Sequence, residues 1–153
     1  MEEIATTDWQ AAPTFGSRDD GAVYTVRPSA YGLAADERGS LALVRTPQGL
    51  FLPGGGIERG ETPARAVERE LLEECGMIVR AGRWSVSAVQ FKYSETEHEH
   101  FEKRSTFMDV LVERVASSGG EADHELVWMA PESASSTLTD GSHGWAVEQW
   151  RLR

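Results

Sequence analysis

A chain of 153 residues, 40% hydrophobic and 26% charged, is long enough for one domain with its own core and too short for two robust ones. No stretch approaches the ~18 apolar residues of a membrane span, which excludes a transmembrane protein. A formal net charge of −10 repels a polyphosphate backbone, which excludes bulk DNA or RNA binding and means that a small anionic substrate needs a cation to approach.

The chain opens with MEEIATTDWQ. It has no basic segment followed by an apolar run, so it does not read as a secretory signal and a cytoplasmic location is expected. Residues 1–14 lack periodicity and read as a tail or an edge strand, leaving 15–153 as a single domain. Ala30 to Ala35 and Leu41 to Arg45 are short apolar segments joined by Asp36-Glu37-Arg38-Gly39, which predicts a hairpin. Phe51-Leu52 predicts a short strand ending at Pro53. Thr62 then serves as N-cap to a helix that begins at Pro63 and runs to Cys75, and Gly76 supplies the stop.

Alternation from Trp84 to Tyr93 predicts a strand, Ser94 to Arg104 reads as a charged turn-like segment, and Thr106 to Val112 predicts another strand. Ser117 to Gly120 reads as a surface loop, Leu126 to Met129 as a short strand, and Ser142 to Leu152 as a helix. The Ser/Thr-rich patch from Ser133 to Thr139 is too short for a linker. No repeat is visible. Strands on both sides of a central helix predict an α/β fold, a mixed sheet packed between helices.

The central helix carries the chemistry. Ala64, Val67, Leu71 and Cys75 form a stripe for packing on the sheet. Glu70, Glu73 and Glu74 crowd a neighbouring face, where like charges oppose one another by a few tenths of a kcal/mol per pair. A divalent cation removes the conflict. Oxygen-only ligands select a hard ion, Mg²⁺ first and Mn²⁺ as the alternative. The competing reading of such a helix is a solvated acidic face, and only spacing separates the two. The single cysteine, Cys75, forms neither an internal disulfide nor a CxxC site and reads as a small buried apolar residue. The glycine run of "LPGGGIERGE" lacks GK[ST], which excludes a P-loop, and does not satisfy GxGxxG.

Gly55, five residues, Glu61, seven residues, Arg69-Glu70-Leu71, one residue, Glu73-Glu74, one residue, Gly76-Met77 match every fixed position of the Nudix box, GX5EX7REUXEEXGU, where U is a bulky aliphatic. The chain therefore resembles a Nudix hydrolase over a box of 23 residues. "VRPSAYGLAADERGSLALVRTPQGLFLPGGGIE", "DHELVW" and "HGWAVEQW" extend the likeness to most of the chain. The resemblance implies an α/β/α sandwich with a mixed β-sheet between helices. It implies Glu61, Glu70, Glu73 and Glu74 as metal ligands, Glu70, Glu73, Glu74 and Arg69 as the catalytic group, and Gly54, Gly55, Gly56 and Gly76 as structural loop positions. Arg69 is expected to orient the glutamates by charged hydrogen bonds.

The reaction implied is attack of water on a phosphorus of a nucleoside diphosphate linked to another group, with a glutamate as base. That base is Glu70 or a later loop carboxylate among Glu95, Glu97, Glu99 and Glu102. His98 and His100 are a weaker candidate metal pair. Tyr93, sixteen residues after Met77, resembles a spacing associated with dinucleoside polyphosphate hydrolases, and Tyr93, Glu97 and Glu99 are candidate substrate contacts. No proline near Tyr93 matches the ADP-ribose pyrophosphatase pattern, and no coenzyme A motif precedes the box. Nucleoside triphosphates, oxidised ones included, and dinucleoside polyphosphates remain. Phe91, Tyr93, Phe101 and Trp128 are aromatic candidates for stacking on a base, whereas Trp145 and Trp150 read as packing anchors. The partner expected is a small nucleotide, with a homodimer allowed. The alternative is a catalytically silent Nudix fold that binds a nucleotide or regulates a partner, but such a chain is expected to lose box glutamates, and none is missing.

Overall fold

The computed structural model describes residues 7–116 and 121–153. The predicted loop at 117–120 and the first six residues of the predicted tail lie outside them. In chain order the elements are β1 (Thr14–Phe15), β2 (Tyr24–Ala34), β3 (Leu41–Thr46), β4 (Gly49–Phe51), β5 (Gly54–Gly56), α1 (Pro63–Cys75), β6 (Met77–Ser94), β7 (Glu99–Val115), β8 (Glu125–Met129), α2 (Pro131–Thr137) and α3 (Gly141–Arg151). One sheet runs β1-β6-β7-β2-β5 and is mixed, since β2 and β7 are parallel while β6 and β7 are antiparallel; a second sheet runs β4-β3-β8.

Period-two alternation divides the core between two helical layers. In β2, Tyr31 and Leu33 join the cluster under α2 and α3, while Ala30 and Ala34 join the cluster under α1. In β3, Leu41 and Leu43 take the first side, Ala42 and Val44 the second. The sheets are therefore buried on both faces, giving the expected α/β/α layering. The small face Ala30-Gly32-Ala34 lets α1 come close: a Cβ on Gly32 would lie 3.1 Å from Leu71 Cδ2. Along α1 the buried residues are Ala66, Val67, Leu71 and Cys75. Ala66 thus takes the place predicted for Ala64, because the helix is rotated so that its carboxylate side also turns inward. Cys75 is buried, which pushes its thiol up to about 12.

Several predicted boundaries are corrected by pairing. The turn at Asp36 forms as expected, its carboxylate accepting from the N–H groups of Arg38 and Ser40 at 2.9 Å, with Gly39 at φ 82°. After the single bridge from Ala35 to Leu41, however, β2 and β3 part into different sheets and do not form a hairpin ladder. The long hairpin is β6–β7 instead. It starts at Met77, and its turn occupies only the four residues before Glu99. The segment 99–104, read as turn-like from its charges, is strand because it lies between β6 and β2 and its backbone groups are paired on both sides. Thr14–Phe15 pairs parallel with β6 at the sheet edge.

The helix α2 was not predicted, because Ser and Thr are weak helix formers. Here Pro131 starts it, Ser135 and Thr137 hydroxyls donate back to the carbonyls of Glu132 and Ser133, and Ala134 is buried. Around α1 the local signals suffice: Thr62 Oγ1 accepts from Arg65 N at 3.2 Å, and Gly76 ends the helix at φ 66°.

His143 in α3 ties the helical layer to the strands. Its Nδ1 accepts from the Leu52 N–H at 3.1 Å, and its ring packs 4.4 Å from that of Tyr31. Burial holds its pKa at about 3 against an ordinary 6.5. A depressed histidine pKa means that stability is complete above pH 6.5 and is lost as pH falls towards 3. We expect roughly 3 kcal/mol less stability at pH 4 than at pH 7 from this group alone. Denaturant titrations of the wild type and His143→Gln at both pH values check this; an unchanged pH dependence in the variant would assign the acid sensitivity elsewhere.

Candidate active site

The glutamates of α1 reach the glycine strand β5 because α1 packs across it. Glu70 and Glu74, one helical turn apart, turn inward, with side chains 16% and 10% exposed, while Glu73 is 54% exposed. A Cβ on Gly55 would sit 2.9 Å from the Glu70 carboxyl carbon, so only glycine leaves room for that carboxylate. Gly54 N donates to Glu74 Oε1 at 3.0 Å. Gly56 contributes its carbonyl, which accepts from Arg69 Nη2 at 3.0 Å.

Arg69 is the hub of the cluster. Its Nε and Nη2 donate to the two oxygens of Glu61 at 2.8 and 2.9 Å. Its Nη1 donates to Glu70 Oε1 at 3.0 Å and Glu73 Oε2 at 3.2 Å. The fork of guanidinium donors suits several carboxylates at once. The hydrogen bonds from Arg69, followed by that from Glu58 N–H, hold the Glu61 carboxyl down at about 2. Glu70 moves up from the ordinary range because desolvation outweighs Arg69. Glu74 lacks the arginine, and burial, reinforced by Glu70 and Glu121, pushes it up to about 7.

Sequence reasoning missed the group on the far side of Glu74. His124 Nδ1 lies 3.0 Å from Glu74 Oε2 and 3.4 Å from Glu121 Oε2, yet has no well-aligned hydrogen-bond partner. His124 is 50 residues beyond Glu74 in the chain, and no local pattern marks it. The oxygen donor set of Glu61, Glu70, Glu73 and Glu74 fits a hard divalent ion, and a cation would favour the ionised form of the buried Glu74. Among the described residues no three such side chains already converge on one point, because Arg69 engages three of the four.

A cleft of about 320 Å³ opens beside β5, lined by Gly54, Gly55, Gly56, Glu74, Tyr31 and Lys103 among others. It adjoins an outer cleft of about 470 Å³ near the β6–β7 turn, and Arg27, Gln48, Lys92 and Lys103 line both. These cations were also missed: Lys103 and Arg27 are brought side by side only by the β2–β7 register. The alternation Phe91-Lys92-Tyr93 was a usable sign that Lys92 points opposite to its aromatic neighbours.

The remaining candidates are dispersed. Tyr93 lies at the rim of the outer cleft with its ring 4.7 Å from that of His100. Glu97 lines the same rim and accepts from Arg27 Nη1 at 3.2 Å. Glu99 accepts from the Thr25 hydroxyl. Of the aromatics, Phe101 is buried at the outer cleft under the Arg27 guanidinium, 3.8 Å from its ring centroid. Phe91 packs on Tyr24, and Trp128 lies away from both clefts beside Val112 and Glu113. His98 sits in the turn at φ 52°, and His100 packs between Tyr24 and Tyr93. Trp150 donates to Asp109 at 2.9 Å, and Trp145 packs on Phe15, as packing anchors do.

A mixed sheet between helical layers, delivering carboxylates and cations to one cleft, defines an α/β/α protein with a charged cleft beside its central helix. The sequence profile of the NUDIX domain matches residues 25–148, and the chain belongs to the Nudix family, hydrolases of pyrophosphate bonds. No curated protein matches the sequence. Among solved structures, the chain is similar to the MutT protein of Methanosarcina mazei Go1, with TM-score 0.61 and 22% identity over 84% of this chain and 95% of that one. It is similar to a MutT Nudix hydrolase of Burkholderia pseudomallei, with TM-score 0.59 and 25% identity over 82% and 98%. It also resembles the dihydroneopterin triphosphate pyrophosphohydrolase of E. coli, with TM-score 0.58 and 18% identity over 83% and 96%. Among the described residues, no helix is long and apolar enough to cross a membrane.

Proposed function

We propose that the chain is a Mg²⁺-dependent pyrophosphohydrolase acting in the cytoplasm, as a monomer or homodimer, on a small nucleotide. The substrate is a nucleoside diphosphate linked to another group, namely a (d)NTP, oxidised forms included, or a dinucleoside polyphosphate. The observation that carries this reading is the shared cleft, in which buried Glu74 stands beside the glycine strand while Arg27, Lys92 and Lys103 supply positive charge. Carboxylates for a cation and cations for phosphate are what anhydride hydrolysis requires.

Glu61, Glu70, Glu73 and Glu74 would hold the ion, with Mn²⁺ as a substitute. When bound, it neutralises phosphate oxygens and lowers the pKa of the attacking water. Arg69 fixes Glu61 and Glu70 in place. Glu70 Oε2, the oxygen that Arg69 leaves free, receives the proton of the water. Gly54 N–H holds Glu74 Oε1, and the absence of Cβ atoms on β5 lets the cluster lie against its backbone.

Phosphate and pyrophosphate release from a nucleotide panel tests the reading. Activity is expected with Mg²⁺, to vanish with EDTA, and to fall at least about a hundredfold in Glu73→Gln. Full activity of that variant would remove the carboxylate mechanism.

A further inference from the structure

The three cations of the cleft are not equivalent. Lys92 Nζ is 2.9 Å from Asp140 Oδ1, a carboxylate almost wholly buried at the start of α3, and its ammonium also faces the Phe51 ring at 4.4 Å. Arg27 is paired with Glu97 at 3.2 Å and covers Phe101. Lys103 makes no ion pair among the described residues. It is half-buried, with Nζ 5.8 Å from the Tyr31 ring centroid, and lines both clefts.

Its position relative to the carboxylates follows from contacts. A Cβ on Gly54 would fall 2.7 Å from Tyr31 Cα, so Tyr31 lies against the strand whose Gly54 N–H binds Glu74. Lys103 stands on the other side of Tyr31. The strand order β7-β2-β5 therefore puts Lys103 and the Gly54–Glu74 contact on opposite sides of the strand that carries Tyr31. Tyr31, with the Asp140 charge further off, favours the charged form of Lys103 over the cost of burial, so the cleft keeps an ammonium that no carboxylate ion-pairs among the described residues and that can receive an anion.

We propose that Lys103 is the anchor for a phosphate lying beyond the two that flank the cleaved bond, so that the site selects a chain of three or more phosphates over a diphosphate joined to a sugar. This rests on the hydrolase reading for its biological meaning, but the binding claim stands apart from it. A diphosphate engaged at the carboxylates presents only neutral hydroxyls to Lys103, leaving its charge unpaired. A third phosphate presents an oxygen anion to a donor that makes no ion pair among the described residues. Lys92 and Arg27 also supply positive charge, but each is shared with a carboxylate, Asp140 and Glu97, so Lys103 is the cation with most to gain from a further phosphate.

Isothermal titration with inorganic tripolyphosphate, in EDTA so that no metal contributes, reads the site directly. Lys103→Met is expected to weaken tripolyphosphate roughly tenfold, the loss of one charge-assisted contact, and Lys103→Arg to restore most of it with a melting temperature like the wild type. Adenosine triphosphate should show the same loss, which separates a nucleotide chain from a preference for inorganic polyphosphate, whereas ADP-ribose affinity should change less than twofold. Equal tripolyphosphate affinity in wild type and Lys103→Met overturns the proposal, as does an equal loss for ADP-ribose. If Lys103→Met fails to fold, Lys103→Arg decides: retained binding supports the anchor, and lost binding in a folded variant overturns it. A wild type that binds tripolyphosphate through Lys103 but hydrolyses nothing in the nucleotide panel would end the hydrolase reading and leave this one intact.

Discussion

Glu74→Gln is expected to lower hydrolysis by at least about a hundredfold while raising the stability of the metal-free protein. The two effects share a cause. Burial raises the Glu74 carboxyl to about 7, so ionising it in the fold is unfavourable, and a neutral amide of the same shape removes that cost. The sign is that of an acid raised above its unfolded value of about 4.5: its favourable contribution is complete below pH 4.5 and lost as pH rises through 7. Between pH 4.5 and 8 the metal-free wild type should lose up to about 3 kcal/mol relative to Glu74→Gln. Paired denaturant titrations in EDTA measure the difference. A variant less stable than wild type at pH 8 would mean that Glu74 stabilises the empty fold and is not held there for a cation.

Arg69→Gln is expected to cost both stability and activity. Removing the guanidinium leaves Glu61 and Glu70 close together without their shared partner, and the discount for partial exposure brings the loss to about 2 kcal/mol. For a chain of this size that is a fall in Tm of roughly 5 °C. Hydrolysis should drop at least tenfold because the carboxylates lose their orientation. Arg69→Lys should not rescue either property, since one ammonium cannot serve both Glu61 oxygens together with Glu70. Scanning calorimetry and initial rates on the best nucleotide substrate check both halves, and full rescue by lysine would show that charge alone suffices.

These two residues also mark how much of the site was readable. The spacing from Gly55 to Met77 fixes which glutamates share a helix face and which glycines precede them, because both are local geometry. It does not show that Glu73 stays largely exposed while Glu74 is enclosed, since that depends on how α1 is rotated against β5. The sequence spacing likewise treats the four glutamates as alike. In the fold, Arg69 holds Glu61 near 2, whereas Glu74, beyond its reach, stands near 7.

By itself, the sequence determined the α/β alternation, the helix from its Thr62 cap to its Gly76 stop, and the family, each written in neighbouring residues. Only the tertiary structure decided that β2 and β3 part into separate sheets, that 99–104 is strand, and that α2 is helical. It alone brought Arg27 beside Lys103, Lys92 against Asp140, and His124 to Glu74. The reason is physical: propensity, capping and periodicity act over a few residues, whereas strand partners and cleft walls are chosen by long-range pairing and burial, for which a charged segment such as Glu99 to Arg104 carries no local sign.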